Sequence, residues 1–209
     1  MDVVTGIREL QNGVRVTVND RLTLLYTRGD WKAEPLNLGD AVNVAELRQA
    51  LLLRQYPRAL NRAVRLLAVR ARSGAEIEKR LNAACFLDET ADMVLLKLQT
   101  EGLLDDLAFA EQWARERSAR QIGKARILQE LRQKGIDSAL AERAVAEIDD
   151  AVADDSAKQL AGKLLRRYAG LPAAQARRKA VAAMQRRGYG YGDALRALGV
   201  SADDGDMED

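Results

Sequence analysis

A weak internal repeat constrains the fold of this chain more than any other feature of its sequence. Three eight-residue segments, 79–86, 129–136 and 182–189, align with one another at spacings of 50 and 53 residues. In each copy one apolar residue lies five positions before another, and a further apolar helical pattern precedes the copy. A period of this size predicts a tandem array of short helical units that stack side by side. Each unit is expected to contain three helices.

A small residue comes just before the second apolar position of every copy. It is glycine in the second and third copies, Gly135 and Gly188, and cysteine in the first, Cys85. These positions fall where the second helix of a unit is expected to end, and a left-handed helix terminus is adopted cheaply only by glycine. We interpret Cys85 as a strained or differently shaped cap. The alternative, a reactive thiol, has little support because the chain has no histidine to activate it.

The N-terminal part of the chain has the patterning of strands. Residues 14–18 alternate with period two, Asn12-Gly13 before them is a strong hairpin-turn dipeptide, and residues 21–26 form a further apolar run. This pattern predicts an antiparallel meander of two or three strands, which needs a neighbouring helix to be stable. Asn43 then has the position of a cap for a helix that ends before Pro57.

The predicted fold class is mainly α: a tandem array of three three-helix repeats, preceded by a small N-terminal antiparallel β module. The expected boundaries are a β module at 1–35, a linker helix at 36–57, helical repeats at 58–104, 105–153 and 154–199, and an acidic disordered tail at 200–209. The links between repeats, near 149–155 and 169–174, are expected to flex.

The composition excludes several classes of enzyme and of metal site. The 209 residues include no histidine and one cysteine, so His-based catalytic triads and Cys/His zinc sites cannot form. No segment matches the phosphate-binding loop G-x-x-x-x-G-K-[ST]. The acidic pairs Asp105-Asp106, Asp149-Asp150 and Asp154-Asp155 are interpreted as helix caps or favourable charges at helix starts rather than as metal ligands. We therefore expect no catalytic site, no cofactor and no metal.

Nothing in the sequence predicts export or insertion into a membrane. The first six residues lack the basic and apolar regions of a signal peptide, and no stretch approaches the ~18 uncharged apolar residues that span a bilayer. A single cysteine gives no intramolecular disulfide. The protein is expected to be a cytoplasmic monomer without a membrane partner.

Basic and acidic residues are strongly segregated along the chain, although the net charge is only +2. Segment 156–199 carries a net charge of +9 and lies between segment 135–155 at −6 and the tail at −5. Five basic side chains are placed by helical periodicity away from the apolar faces of the second helices of the last two repeats: Arg126, Arg132, Arg178, Lys179 and Arg186. Such a run is commonly a solvated face. Arginine nevertheless outnumbers lysine in the third repeat, which suits bidentate recognition of phosphate or carboxylate.

Four motifs follow one another in order along residues 58–199. They are Arg70-Ala71-Arg72-Ser73, Gly102-Leu103-Leu104-Asp105-Asp106 with Phe109, Glu130-Leu131-Arg132-Gln133-Lys134-Gly135-Ile136, and Arg186-Arg187-Gly188-Tyr189. The motifs lie on the internal repeat described above, which was identified without reference to them. Together they resemble the RecX family of recombinase regulators. The sequence departs from the family pattern at Cys85, where the family usually has glycine, and in the acidic tail.

The resemblance implies a protein that modulates, and mainly inhibits, the RecA recombinase. The resemblance further implies that the protein lodges in the groove of the RecA filament on DNA and affects its ATPase, strand-exchange and co-protease activities. The implied setting is DNA repair, recombination and the SOS response. In this interpretation the five basic residues supply electrostatic contacts to the filament, and the function is regulation rather than catalysis.

Two other functions are compatible with the same sequence. A DNA-backbone-binding protein of helical repeats would act without RecA, and an adaptor scaffold would serve another protein. Aromatic residues make up only 4% of the chain, so no platform for stacking bases is expected. Any contact with single- or double-stranded DNA would therefore be to phosphates and independent of sequence. The acidic tail is interpreted as a solubilising end, or alternatively as an intramolecular competitor for the basic third repeat.

Overall fold

The computed structural model describes residues 2–200, which divide between two compact units, Met1–Asp105 and Asp106–Asp209. The first unit holds an antiparallel sheet and the first helical repeat, and the second unit holds the other two repeats. The predicted fold class is confirmed. The predicted acidic tail, apart from Val200, lies outside the described residues. Within residues 2–200, no helix combines the length and the apolar composition needed to cross a bilayer.

The N-terminal module is a four-stranded antiparallel sheet with a short helix. Its elements are β1 (Asp2–Leu10), β2 (Gly13–Val18), β3 (Leu22–Thr27), helix α1 (Arg28–Ala33) and β4 (Ala41–Val42), with strand order β3-β2-β1-β4. Alternate residues of β2, Val14, Val16 and Val18, are buried, as the period-two pattern predicts. The fourth strand and α1 were not predicted. Strand β4 has only two residues. The one local sequence signal for α1 is the capping box of Thr27 and Asp30.

Helix α2 (Val44–Val69) is shared by the sheet and the first repeat. Asn43 caps it, because its side chain accepts hydrogen bonds from backbone N–H groups of the first turn. The prediction of a linker helix confined to 36–57 is wrong, since α2 continues through Pro57 into the first repeat. A proline within a helix leaves the carbonyl four residues earlier without its donor. That residue is Leu53, which lies on the exposed side of α2.

The first repeat consists of the second half of α2 with α3 (Gly74–Asn82) and α4 (Asp88–Thr100). Its core is formed by fully buried apolar side chains from all three helices: Ala59, Ala63, Ile77, Leu81, Ala91, Val94 and Leu98. Ser73 caps α3 by accepting a hydrogen bond from the backbone of Glu76. The repeat predicted from sequence alignment is therefore a closed three-helix unit.

Cys85 lies three residues after the end of α3, and its backbone has the left-handed conformation, with φ of +62°. Of the two predicted forms of cap, the structure therefore has the strained one. The thiol is buried, and burial raises its pKa, which opposes formation of a reactive thiolate. The β1–β2 turn packs on this segment: Asn12 donates a 2.8 Å hydrogen bond to the carbonyl of Ala83, and a Cβ on Gly13 would lie 2.7 Å from Cys85 Cβ.

The second unit contains two three-helix repeats. They are α5 (Asp106–Ala119), α6 (Lys124–Gln133) and α7 (Ser138–Ala146), followed by α8 (Asp150–Arg167), α9 (Ala173–Arg186) and α10 (Tyr191–Ala197). The expected boundary at 154 falls inside α8, which begins at Asp150. Asp149 caps that helix by accepting a hydrogen bond from the backbone N–H of Ala151, which confirms the capping interpretation of this acidic pair. The predicted flexible link at 149–155 is accordingly mostly helix.

Gly135 and Gly188 both have the left-handed backbone that the repeat predicted, with φ of +74° and +87°. After each glycine the next backbone N–H returns to the helix: Ile136 donates to the carbonyl of Leu131, and Tyr189 donates to the carbonyl of Met184. Each glycine therefore lets the chain turn back so that a carbonyl at the end of the helix is hydrogen-bonded. Other residues adopt this backbone conformation only with strain.

Candidate anion-binding interface

Helix α9 carries positive charge that no carboxylate neutralises in the part of the chain that the structure describes. Its buried side consists of small and apolar residues: Ala176, Ala180, Val181 and Met184. Arg178, Lys179 and Arg186 are exposed, as predicted. Among residues 2–200, none of these three cations has an ion pair within 4.0 Å. Their guanidinium and ammonium groups are thus open to an external anion.

The two basic residues predicted on α6 are exposed but partly neutralised. The Nε of Arg126 lies 3.7 Å from a carboxylate oxygen of Glu130, and its guanidinium donates a hydrogen bond to Gln129. Arg132 lies 3.4 Å from Glu142. Surface pairs of this kind contribute little to stability, and they lower the positive potential that α6 presents. The contribution of α6 to an anion site is therefore smaller than that of α9.

The start of α6 lies against the end of α9. The backbone N–H of Gly123 donates a 2.8 Å hydrogen bond to the carbonyl of Arg187, and a Cβ on Gly188 would lie 2.9 Å from Arg126 Cα. The structure thus brings Arg126 next to the basic end of α9. It places Arg132 elsewhere, six residues or about 9 Å further along α6, on the side of Glu142.

A cleft of about 490 Å³ opens beside this junction, between the second and third repeats. Basic and acidic residues both line it. Lys124 pairs with Asp150 at 2.7 Å, and Arg196 pairs with Asp193. Because its cations already have carboxylate partners, the cleft is less suited to an external anion than the open face of α9.

A network around Glu130 stabilises the second repeat. Arg117 donates two hydrogen bonds of 2.6 Å to the two carboxylate oxygens of Glu130, and Trp113 Nε1 donates a third of 3.2 Å. The ammonium group of Lys134 lies 4.0 Å from the centre of the Trp113 ring. The hydrogen bonds from Arg117 hold the pKa of the Glu130 carboxyl below its ordinary value. This carboxylate therefore helps to fix α5 against α6.

We expect Glu130→Gln to lower the free energy of unfolding by about 2 kcal/mol at pH 7, since charge-assisted hydrogen bonds are lost. The pKa of the Glu130 carboxyl is lower in the folded protein than in the unfolded chain. The stabilisation is therefore fully present at pH values above the ordinary glutamate pKa of about 4.3, and it is lost as the pH falls through the pKa of the folded protein. Urea unfolding at pH 7 and at pH 3 measures both effects. Glu142→Gln, which removes an exposed pair, is the control; equal pH dependence in the two variants would contradict the prediction.

The other positions of the family resemblance have structural roles. Arg70 pairs with Glu76 at 2.9 Å, and Arg72 Nε donates to the carbonyl of Leu66, so both arginines fix the end of α2. Gly102 ends α4 with φ of +67°. Three further positions lie at or near the start of α5: Asp105 just before it, Asp106 as its first residue, and Phe109 stacked on Trp113 in the core.

A stripe of arginines on α2 was not predicted from the sequence. Seven arginines occur between residues 47 and 75, a stretch without a single Asp or Glu. Arg58, Arg62 and Arg65 from this stretch are exposed and line one groove of the first unit. The net charge of the longer segment 54–134 does not reveal the stripe, because the acidic residues of that segment all lie at or after Glu76 and offset it. A shorter window would have found it.

The three repeats match known domains in their order along the chain. The first, second and third three-helix domains of RecX match residues 59–98, 105–145 and 153–198. Together these matches cover more than half of the chain. The chain belongs to the RecX family. The RecX matches begin at residue 59, so the N-terminal sheet lies outside all three.

Individual relatives agree with this assignment. The chain is 38% identical over 147 residues to "Regulatory protein RecX" of Mycolicibacterium smegmatis, across 68% of this chain and 78% of the relative. It is 33% identical over 145 residues to the protein of the same name from Amycolatopsis mediterranei, across 69% and 83%. A solved structure of "regulatory protein RecX" has the same fold, with a TM-score of 0.67 at 22% identity over 95% of this chain and 99% of the other. This RecX chain is accordingly a member of a family of regulatory proteins.

Proposed function

We propose that this protein binds the RecA recombinase filament in the cytoplasm and mainly inhibits its ATPase, strand-exchange and co-protease activities in DNA repair and recombination. One observation carries the proposal beyond family membership: the exposed and uncompensated Arg178, Lys179 and Arg186 on α9. A filament of protein on DNA offers carboxylates and phosphates, the two groups that arginine recognises with paired hydrogen bonds. The protein acts in this proposal as a binding partner and carries out no chemistry.

A repeat protein changes a polymer only under one thermodynamic condition. It must bind one arrangement of the protomers more tightly than another, because equal affinity for both shifts no equilibrium. When one repeat has bound a protomer, the linked repeats are held at a high effective concentration near the neighbouring protomers. The whole array therefore binds more tightly than one repeat alone. The proposal therefore requires that the repeats favour an inactive or disassembling arrangement of the filament.

The test of this function is single-stranded-DNA-dependent ATP hydrolysis by RecA, with this protein added at substoichiometric ratios in physiological salt. Inhibition well below one molecule per RecA protomer, without loss of free DNA, supports direct action on the filament. Inhibition only at concentrations that coat the DNA would overturn the proposal in favour of a DNA-backbone binder. No inhibition at any concentration would also overturn it.

Reversal of charge on α9 is expected to weaken the inhibition. For the double variant Arg178→Glu/Lys179→Glu, we expect half-inhibition of RecA to need about tenfold more protein, because about 1.4 kcal/mol of electrostatic contact is lost. Both side chains are exposed, so the circular dichroism spectrum should not change. The matched control is Arg166→Glu/Arg167→Glu, with the same change of charge at exposed positions of α8. Equal loss of inhibition in both variants would show that net charge, not the α9 face, is responsible.

A further inference from the structure

A stripe of arginines runs along one face of α2 in the first unit. Arg54, Arg58, Arg62 and Arg65 fall within an arc of about 80° at the helical rotation of ~100° per residue. Helical spacing thus places four guanidinium groups on one side of a helix that has no acidic residue after Glu46. Such an array concentrates positive potential along the helix axis.

Only the N-terminal half of the stripe is neutralised by the protein itself. Arg54 lies 2.7 Å from Glu34, and Arg58 pairs with the buried carboxylate of Asp30. Arg62 and Arg65 are exposed and have no ion pair among residues 2–200. The two C-terminal arginines are therefore available to an anion from outside, while Arg58 is held in place beside them.

The β module and the loop after α3 form a wall beside Arg58 and Arg62, which gives a shallow groove along the stripe from Arg58 to Arg65. One part of the groove, about 430 Å³, is a shallow depression on α2 alone, lined by Arg58, Asn61, Arg62, Arg65 and Leu66. A second part, about 280 Å³, is lined by Arg58 and Arg62 together with Asn12, Arg28 and Gly29 of the β module, among others. Arg28 donates a 2.8 Å hydrogen bond to the carbonyl of Gln11, which fixes it beside the hairpin turn. We refer to Arg28, Arg58, Arg62 and Arg65 as the arginine groove.

We propose that the arginine groove binds the sugar–phosphate backbone of a DNA strand, at a site in the first unit separate from the α9 face. The cations are all arginines, whose planar donors match phosphate oxygens. Arg58 and Arg65 are about 10 Å apart along the helix axis, the axial length of about three phosphates of one strand of a duplex. The inference does not rest on RecA, since the groove and its ligand are defined by the first unit and DNA alone.

The lining of the groove favours a phosphate backbone over a protein partner. Protein interfaces are built around aromatic or aliphatic anchors in desolvated pockets. The exposed side chains of this groove are arginine and asparagine, and Phe86, the one aromatic residue in its lining, is buried. Without an exposed aromatic residue the site has no means of stacking bases. Recognition is therefore independent of base sequence.

The test compares two double variants of the full chain. Arg62→Gln/Arg65→Gln removes two charges from the groove, and Arg8→Gln/Arg21→Gln removes two exposed charges from the β module outside it. Arg58 is not changed because it pairs with buried Asp30. Affinity for a fluorescein-labelled duplex and for a labelled single strand, both of random sequence, is measured by anisotropy over a series of NaCl concentrations, with thermal unfolding as the check of folding.

For the groove variant we expect about tenfold weaker DNA binding at low salt, and a salt slope reduced by about 1.8 for the duplex and about 1.4 for the single strand, as for two lost phosphate contacts. The control should match the native protein. Arg62→Lys/Arg65→Lys keeps the charges and should retain the native slope. Affinity and slope equal to the control would overturn the proposal. So would weaker RecA inhibition with unchanged DNA affinity, which would assign the groove to an acidic protein surface.

Discussion

Replacing Gly123 with alanine is expected to lower the free energy of unfolding of the second unit by about 2–4 kcal/mol. A Cβ at this position would lie 2.5 Å from the backbone nitrogen of Tyr189 and closer still to the carbonyl of Gly188. These are backbone atoms at the end of α9, so no side chain can rotate away. The 2.8 Å hydrogen bond from Gly123 to Arg187 would be lost as the two repeats separate. One added methyl group therefore disrupts the junction between α6 and α9.

The measurement uses the two tryptophans of the chain, Trp31 and Trp113, which lie in different units. In a Trp31→Phe background, fluorescence during urea unfolding reports only the second unit. Gly162→Ala is the matched control, because a Cβ there meets nothing within 4 Å and the residue lies inside α8. It should raise stability by about 0.5–1 kcal/mol. A Gly123→Ala variant as stable as the native protein would contradict the close approach of the two helices.

Replacing Asp30 with alanine is expected to destabilise the first unit by about 2–3 kcal/mol, because buried hydrogen-bond donors lose their acceptor while the exposed Arg58 guanidinium stays hydrated. The carboxylate is 1% exposed and pairs with Arg58. It also accepts hydrogen bonds from the backbone and hydroxyl of Thr27 and from the buried amide of Gln55. Without it, Gln55 and Thr27 keep buried donors that have no water to replace the lost acceptor.

Urea unfolding in a Trp113→Phe background, where Trp31 reports the first unit, measures this loss. The matched control is Glu34→Ala, which removes a carboxylate from the same short segment and breaks an exposed pair with Arg54. Exposed pairs contribute less than about 1 kcal/mol. Equal losses in the Asp30 and Glu34 variants would show that burial of the Asp30 carboxylate does not govern its contribution.

The repeat architecture could be predicted from sequence because its signals are local. Gly135 and Gly188 mark helix ends through backbone conformation, and apolar residues at helical spacing mark the core. Strand β4 could not be predicted, since two residues hold no pattern and the strand exists only through pairing with β1. Passage of α2 through Pro57 also depends on tertiary packing, which outweighs the cost of one lost hydrogen bond.

The candidate interface was predictable only in part. Helical periodicity placed Arg178, Lys179 and Arg186 on an exposed face, and they are exposed. It could not show that Arg132 meets Glu142, because this pair depends on how α6 packs against α7. Prediction of the arginine groove would have required both the local density of arginines on α2 and the position of the β module beside that helix. Only the first of these is readable in a sequence.

The sharing of α2 determines where this protein can be divided. Leu47 and Leu51 of this helix belong to the core under the sheet, and Ala59 and Ala63 belong to the core of the first repeat. Between them, Gln55 donates to the carbonyl of Leu25 and accepts from the backbone N–H of Leu87. A protease cut or a gene fusion placed between the sheet and the first repeat would split one continuous helix and expose apolar surface on both fragments. Domain shuffling can therefore move the sheet only together with the first repeat.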